Sequence, residues 1–558
     1  MITEIEKFAS FIENALEGYN PTVIVYGSST SGECRSDIDA CIITDSELAA
    51  EEKKRIIDKT IGFYVEENLK IDNEVPFENK LLFSAAEANR YSMQSPFEKP
   101  DGTYVIDDIQ KTVAFLSSEK MRHRLWLNLI TTEHVVLCGD KQFVDCCEDF
   151  AWKQLIQSVF CAFPESREYS VNDFLSILLK NPHSGAIGED YLGYKTTTPK
   201  KEMHLRQKVR EYLPIVKSRK INARENLNPF SPTPLMIADL IRFTSSVGMY
   251  PQCYDESLRN SAAQIFSLTS DNVIFTHGAM EGIQLAMIGR TDGYIIPQPA
   301  FWGYKHTARN LGIPFSTCTM EYDTFDEQLS SLCKTNTGVI LCNTNNPFPI
   351  RLPRNTILEI ARENTHCHII VDETMLAFHQ GFLQETLIPF VKNIPNLTVI
   401  ISLSKITGLC ALRCGFLFGH ADYIRQQKKY RVSYGTNTVT QQFLQKHLSD
   451  IFIDRDACVS ISDSFSLLTR RLSCANRIKQ IVNNGTAFIL VEFSGDISAD
   501  CVRDYLAERG ILVSVPNDTY PEMSQSTIRI SAVTKSDALV IGDAILSWLQ
   551  KEGYNNEN

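Results

Sequence analysis

The sequence predicts a multidomain α/β protein whose C-terminal half is built on a mainly parallel sheet. Three observations predict it. Across residues 220–480, short apolar runs at 272–276, 293–296, 338–342, 368–371 and 398–402 alternate with helix-like segments, the pattern of strands joined by crossover helices. Residues 106–215 are mostly helical in periodicity, and residues 1–105 alternate helix-like with strand-like stretches. A chain of 558 residues holds about three or four units at roughly 100–200 residues each.

In chain order, residues 5–16 carry apolar side chains at helical spacing, and Val23 to Tyr26 form a short apolar run ending at Gly27, a buried strand. A second such run spans 38–43, and 71–75 is a third candidate strand. These make a small α/β domain over 1–105. Residues 122–137, 149–163 and 203–216 are apolar-periodic and read as helices of a second domain, 106–215. The glycines and prolines of 181–199 read as loop. The large α/β domain covers 220–480. Residues 481–558, with strand-like runs at 487–493 and 527–531, read as a small α+β subdomain.

Hydrophobic residues make up 43% and charged residues 22% of the chain, so each unit can build a core. The net charge of -12 offers no polyanion-binding surface, which argues against nucleic acid as a partner. Sixteen scattered cysteines without a C-x-x-C pair read as reduced thiols of a cytoplasmic protein. Residues 1–10 lack the basic and apolar regions of a signal peptide, and no apolar run reaches the ~18–20 residues of a membrane span.

Two constellations carry chemistry. In the first, Gly27-Ser28 ends a strand and Asp37-Ile38-Asp39 opens the next. Alternation places Asp37 and Asp39 on one face, where two carboxylates repel unless a cation lies between them; hard oxygen ligands suit Mg2+ and its nucleotide phosphates. The Gly27-Ser28 turn offers a phosphate its backbone and a hydroxyl. Taken singly, Asp37 and Asp39 read equally well as a turn before a solvated strand start.

In the second, Ser402-Leu403-Ser404-Lys405 follows an apolar strand, and Arg413 stands eight residues after the lysine. A strand-end lysine can attack an aldehyde, and hydroxyls with a guanidinium suit a phosphate. Asp372 ends the strand Ile369-Ile370-Val371, where open α/β sheets bind ligands, and can keep a pyridine nitrogen protonated. Asn345-Asn346-Pro347 follows another strand, Gly278-Ala279-Met280 lies where a strand meets a helix, and Phe301 and Trp302 offer an aromatic face.

The ordered set from Asn222-Ala223-Arg224-Glu225-Asn226 through Tyr250-Pro251 to Lys405 and Arg413 resembles the class I/II aminotransferases of pyridoxal-phosphate (PLP) fold type I. It is most similar to the histidinol-phosphate aminotransferase and threonine-phosphate decarboxylase branch. The resemblance implies that Lys405 binds PLP covalently and moves a proton, Asp372 pairs with the ring nitrogen, Asn346 contacts the 3-oxygen and Phe301 stacks. It implies further that Ala279, Met280, Ser402, Ser404 and Arg413 hold the phosphate. Tyr250 would reach the cofactor of a neighbouring subunit, hence a homodimer, and Arg529 would clamp the carboxylate of a small amino or keto substrate. Three departures stand out: Met375 where an aromatic residue is usual, Asn346-Pro347-Phe348-Pro349 in place of Asn-Pro-Thr-Gly, and no arginine in Gly510 to Val515. The last argues against a phosphorylated substrate. Residues 20–80 resemble the minimal and aminoglycoside-type nucleotidyltransferases of the DNA polymerase β superfamily. That resemblance implies Mg2+ on Asp37, Asp39 and a third carboxylate from a later strand, for which Asp72 and Glu74 are candidates with Glu74 preferred, together with Lys195 as a candidate phosphate contact and an NTP as partner. The expectation is a bifunctional enzyme. A PLP decarboxylase or lyase of the same fold, and a non-catalytic ligand-binding scaffold or sensor in one half, remain open.

Overall fold

The computed structural model describes residues 2–30, 38–71, 81–95, 121–162, 169–179, 199–253, 255–290, 292–320, 323–334, 338–494 and 497–555. The chain divides into two compact units, Met1–Arg219 with Thr233–Asp239, and Lys220–Pro232 with Leu240–Asn558.

In the first unit, β1 (Thr22–Tyr26), β2 (Ala40–Thr44), β3 (Leu82–Ser84) and β4 (His134–Cys138) form a sheet of order β3-β2-β1-β4. β1 is antiparallel to β2 and β4, and β2 is parallel to β3. Alternation sends Val23, Val25 and Ile42 into a core with Phe8, Ile12 and Tyr64 from helices Ile2–Ala15 and Ala50–Glu66. The intervening Ile24, Cys41 and Ile43 enter a second core with Trp126 and Trp152 from helices Met121–Thr131 and Lys141–Ala162. Both faces are covered, so these strands show unbroken apolar runs rather than alternation.

The helix expected over 122–137 is corrected: it stops at Thr131, and Val135 and Val136 pair with Val25 and Ile24. The hydroxyls of Thr131 and Thr132 donate to the carbonyls of Leu127 and Leu129, closing the last turn, and the β-branched run that follows is worth more as a sheet strand. The helical stretch thus lends a strand to the sheet of the first hundred residues. Most of the strand expected at 71–75, and nearly all of the loop at 181–199, lie outside the described residues.

The second unit centres on seven strands: β6 (Val273–Thr276), β7 (Tyr294–Gln298), β8 (Phe315–Thr319), β9 (Gly338–Cys342), β10 (Ile369–Asp372), β11 (Leu397–Ser402) and β12 (Gly415–Gly419), in the order β6-β12-β11-β10-β9-β7-β8. Six run one way and β12 is reversed, antiparallel to both β11 and β6. Ile274, Ile296, Ile340, Ile370, Ile400 and Leu417 share one buried face. A three-stranded antiparallel sheet, β13 (Ile478–Val482), β14 (Phe488–Phe493) and β16 (Thr527–Ser531), forms the C-terminal part. A short parallel pair, β5 (Ile221–Asn222) with β15 (Ile511–Leu512), ties the start of this unit to its end. No helix among the described residues is long and apolar enough to cross a membrane.

Candidate active site

β6, β7, β9, β10 and β11 end at one edge of the seven-stranded sheet, and the chain enters the reversed β12 there. Open α/β sheets bind ligands beyond the carboxyl ends of their strands. A cavity of about 470 Å³ lies here, lined among others by Lys405, Asp372, Arg413 and Arg529.

Asp372 ends β10, buried. Its Oδ1 accepts from the Thr374 amide (2.9 Å) and its Oδ2 from the Tyr304 hydroxyl (3.0 Å). Burial pushes its carboxyl above the usual range, while hydrogen bonds from the Thr374 hydroxyl and amide and from the Tyr304 hydroxyl pull it back toward the carboxylate. The Thr374 hydroxyl accepts from the Ser402 amide (3.0 Å), locking the ends of β10 and β11 together.

Lys405 sits in the short helix Leu403–Ile406 that caps β11, and its Nζ donates to the carbonyl of Glu225 (3.0 Å). The Glu225–Asn226 segment is placed by β5: the Ala223 amide donates to Leu512 and the Ser531 amide to Ala223. Arg413 precedes β12, with Nη1 3.5 Å from the Ser404 hydroxyl and Nη2 3.4 Å from the carbonyl of His277. It therefore lies against the N-terminus of helix Gly278–Met287, where backbone N–H groups point outward. Gly278 has φ +73°, and a Cβ there would lie 2.9 Å from Arg413 Nη2. The glycine is what lets a guanidinium approach this helix end.

Opposite, Arg529 of β16 donates from Nη1 to Asn346 Oδ1 (2.7 Å) and from Nη2 to the carbonyl of Arg224 (2.8 Å). Its Nε is buried and has no hydrogen-bond partner among the described residues. Burial lowers the guanidinium to about 10, still protonated at neutral pH. Phe301, part-buried, packs on Trp302 and edge-on against Tyr304.

Ala279, Met280, Phe301, Asn346, Asp372, Ser402, Ser404, Lys405, Arg413 and Arg529 all line this one cavity. Tyr250 does not: it is 89% exposed and meets Tyr434 edge-on. Tyr304, Thr374 and Tyr520 were not singled out from sequence as site residues. Tyr304 carried a signal, since it stands three residues after Phe301 at the start of a helix; Tyr520 carried none.

In the first unit, Gly27 opens a 3-10 turn with φ +64°, and a Cβ there would lie 3.2 Å from Asp39 Oδ2. The Asp39 amide donates to the Ser29 hydroxyl (2.9 Å). Asp37, Glu74 and Lys195 lie outside the described residues, as does the side chain of Ser28. Among the described residues no group of three or more His, Cys, Asp and Glu could hold a metal ion.

The cavity fits pyridoxal phosphate. A lysine for the aldehyde, a buried carboxylate for the ring nitrogen, an aromatic wall, and a guanidinium with hydroxyls at a helix N-terminus converge within one volume of suitable size. Fold and site together define a PLP enzyme of fold type I. The profile of the family described as aminotransferase class I and II matches residues 219–545, and the chain belongs to that family. Over 323 residues it is 28% identical to the histidinol-phosphate aminotransferase of Caldanaerobacter subterraneus subsp. tengcongensis, covering 56% of this chain and 88% of that relative. Among solved structures, the L-threonine-O-3-phosphate decarboxylase of Porphyromonas gingivalis matches with a TM-score of 0.52 at 19% identity, over 59% of this chain and 99% of its own. The histidinol-phosphate aminotransferase of Sinorhizobium meliloti in complex with pyridoxal-5'-phosphate matches with a TM-score of 0.52 at 17% identity, over 60% and 92%. At such identities the structural likeness shows the fold alone. The family match begins at residue 219 and does not extend to residues 20–80.

Proposed function

We propose that the C-terminal unit transfers an amino group between a small amino acid or amine and a keto acid. The observation that carries this reading is the convergence of Lys405, Asp372, Arg413 and Arg529 on one cavity, with an unpartnered Arg529 Nε at its wall. Bound PLP supplies an electron sink for charge at the substrate Cα. Asp372 would face the ring nitrogen and keep it protonated. Lys405 Nζ, released from the cofactor, would carry the proton to and from Cα. Ser402, Ser404, Arg413 and the amides of Ala279 and Met280 would hold the phosphate. Asn346 has its oxygen engaged by Arg529, so its amide nitrogen would be left to donate to the 3-oxygen. Arg529 would bind the substrate carboxylate. Ser514 and Val515 line the cavity where an arginine would serve a phosphorylated substrate, which supports a substrate without phosphate. The outward Tyr250 supports a homodimer in which it serves the partner's site.

The test is the visible spectrum of the purified protein with PLP, before and after single amino acids. A lysine-bound band that bleaches with one amino acid and returns with a keto acid is expected. Persistence of the band with release of carbon dioxide would establish a decarboxylase instead, and absence of the band would overturn the assignment of Lys405.

For the first unit we propose nucleotidyl transfer from an NTP to a small acceptor. The supporting observation is Gly27, whose missing side chain leaves the turn open against the Asp39 carboxylate. Asp39 would be one Mg2+ ligand and the Gly27 turn a phosphate contact. Release of pyrophosphate from an NTP on addition of Mg2+, lost in Asp39→Asn, tests this.

A further inference from the structure

Tyr304 lies in the first turn of helix Gly303–Leu311 and is fully buried. Its hydroxyl donates to Asp372 Oδ2 at 3.0 Å. Its ring meets Phe301 edge-on, with centroids 5.6 Å apart at 82°. One side chain therefore touches both groups that would contact a bound pyridine ring, the carboxylate at its nitrogen and the aromatic on its face. We propose that Tyr304 is a positioning residue that fixes Asp372 in its ionised, ring-facing orientation and braces Phe301 against the ring. The inference rests on the PLP reading above and assigns a role that reading leaves open.

The geometry favours this over simple core filling. Asp372 is taken out of water, and a buried carboxylate stays ionised only when donors replace its solvation. Three donors do so: the Thr374 hydroxyl and amide, which sit two residues along the chain, and the Tyr304 hydroxyl, which is brought to Oδ2 from a separate helix. The other titratable groups beside Asp372 are Cys342 at the end of β9, the adjacent Glu373, and Lys405 across the cavity. The Cys342 thiol donates to the carbonyl of Thr344 (3.3 Å) and also lies within hydrogen-bond reach of the Tyr304 hydroxyl, while Glu373 turns away to the Thr386 hydroxyl and the Leu387 amide.

Tyr304→Phe in the full-length protein removes that oxygen and keeps the ring. We expect PLP to bind roughly 10-fold more weakly, the size of a lost hydrogen bond to a charged group. The pH midpoint of the visible band should rise, because an uncharged ring nitrogen withdraws less from the lysine linkage. The amino-acid half-reaction should slow in kcat with KM unchanged, because Arg529 is untouched. Wild-type PLP affinity and band midpoint in Tyr304→Phe, with an unaltered melting temperature of the apoprotein, would reduce Tyr304 to a core residue. That result leaves the PLP reading standing, whereas a wild type without any visible band would end both. If Tyr304→Phe does not fold, 3-fluorotyrosine placed at 304 keeps the shape and strengthens the donor. The midpoint must then move down, and an unmoved midpoint overturns the proposal.

Discussion

Substituting Gly278 by alanine tests the phosphate end of the cavity. Gly278 has φ +73°, a conformation that costs an L-residue about 1–2 kcal/mol. That cost falls on the apoprotein and should appear as lost stability in denaturant. The second effect is on binding. The new methyl would stand 2.9 Å from Arg413 Nη2, and the cheapest relief is for the guanidinium to swing away from the helix N-terminus. A charge-assisted hydrogen bond is worth about 1.5–3 kcal/mol, so displacing Arg413 should weaken PLP by roughly 10- to 150-fold. The assay is titration of the apoprotein with PLP, followed by the visible band, beside urea unfolding of the same sample. Arg413→Met should weaken binding similarly, and the two changes together should cost less than their sum, since both remove one contact. If Gly278→Ala loses stability but binds PLP as the wild type does, the helix N-terminus is not where the phosphate lies.

Three further outcomes are expected. Arg529→Lys replaces a fork by a point charge and should lower kcat/KM by roughly 10- to 100-fold, mostly through KM, in steady-state kinetics with any amino acid that bleaches the band. Glu373 is fully buried and burial raises its carboxyl from 4.5 to about 8. Between those values the native state keeps a proton the unfolded chain releases, so stability falls as pH rises through that window, by up to about 1.4 kcal/mol per unit. Glu373→Gln should flatten this slope in urea unfolding at pH 5 to 8.5, and an unchanged slope would place the proton elsewhere. Asp39→Asn should abolish pyrophosphate release while amino transfer continues undiminished; loss of both activities would refute separate sites.

Much of the catalytic unit was legible because its strands are short apolar runs closed by chemically distinctive residues. Asp372 after Ile369-Ile370-Val371, and Lys405 just past Ser402, mark the strand ends that form the cavity. β8 escaped notice because it is an edge strand rich in Ser, Thr and Cys, with no apolar run to betray it. The reversal of β12 was hidden as well, since direction is written in pairing and not in composition. Tyr304 and Thr374 were missed because their importance lies in which atom of Asp372 they meet. In the first unit the strand at His134–Cys138 was read as helix because Arg122 to Leu137 lacks any glycine or proline, and tertiary pairing with β1 overrode that continuity.

The reversed β12 has a further consequence. Parallel neighbours need a long crossover, but antiparallel β11 and β12 pair from Ser402↔Gly415, and only residues 403–414 join them. Lys405 and Arg413 both belong to that one closed loop. For a ligand grasped at both its aldehyde and its phosphate, the loop would act as a chelating clamp with two jaws of different chemistry, Lys405 supplying a covalent jaw and Arg413 an ionic one. A released end would then stay at the high local concentration of a tethered partner, which would favour its recapture by Lys405.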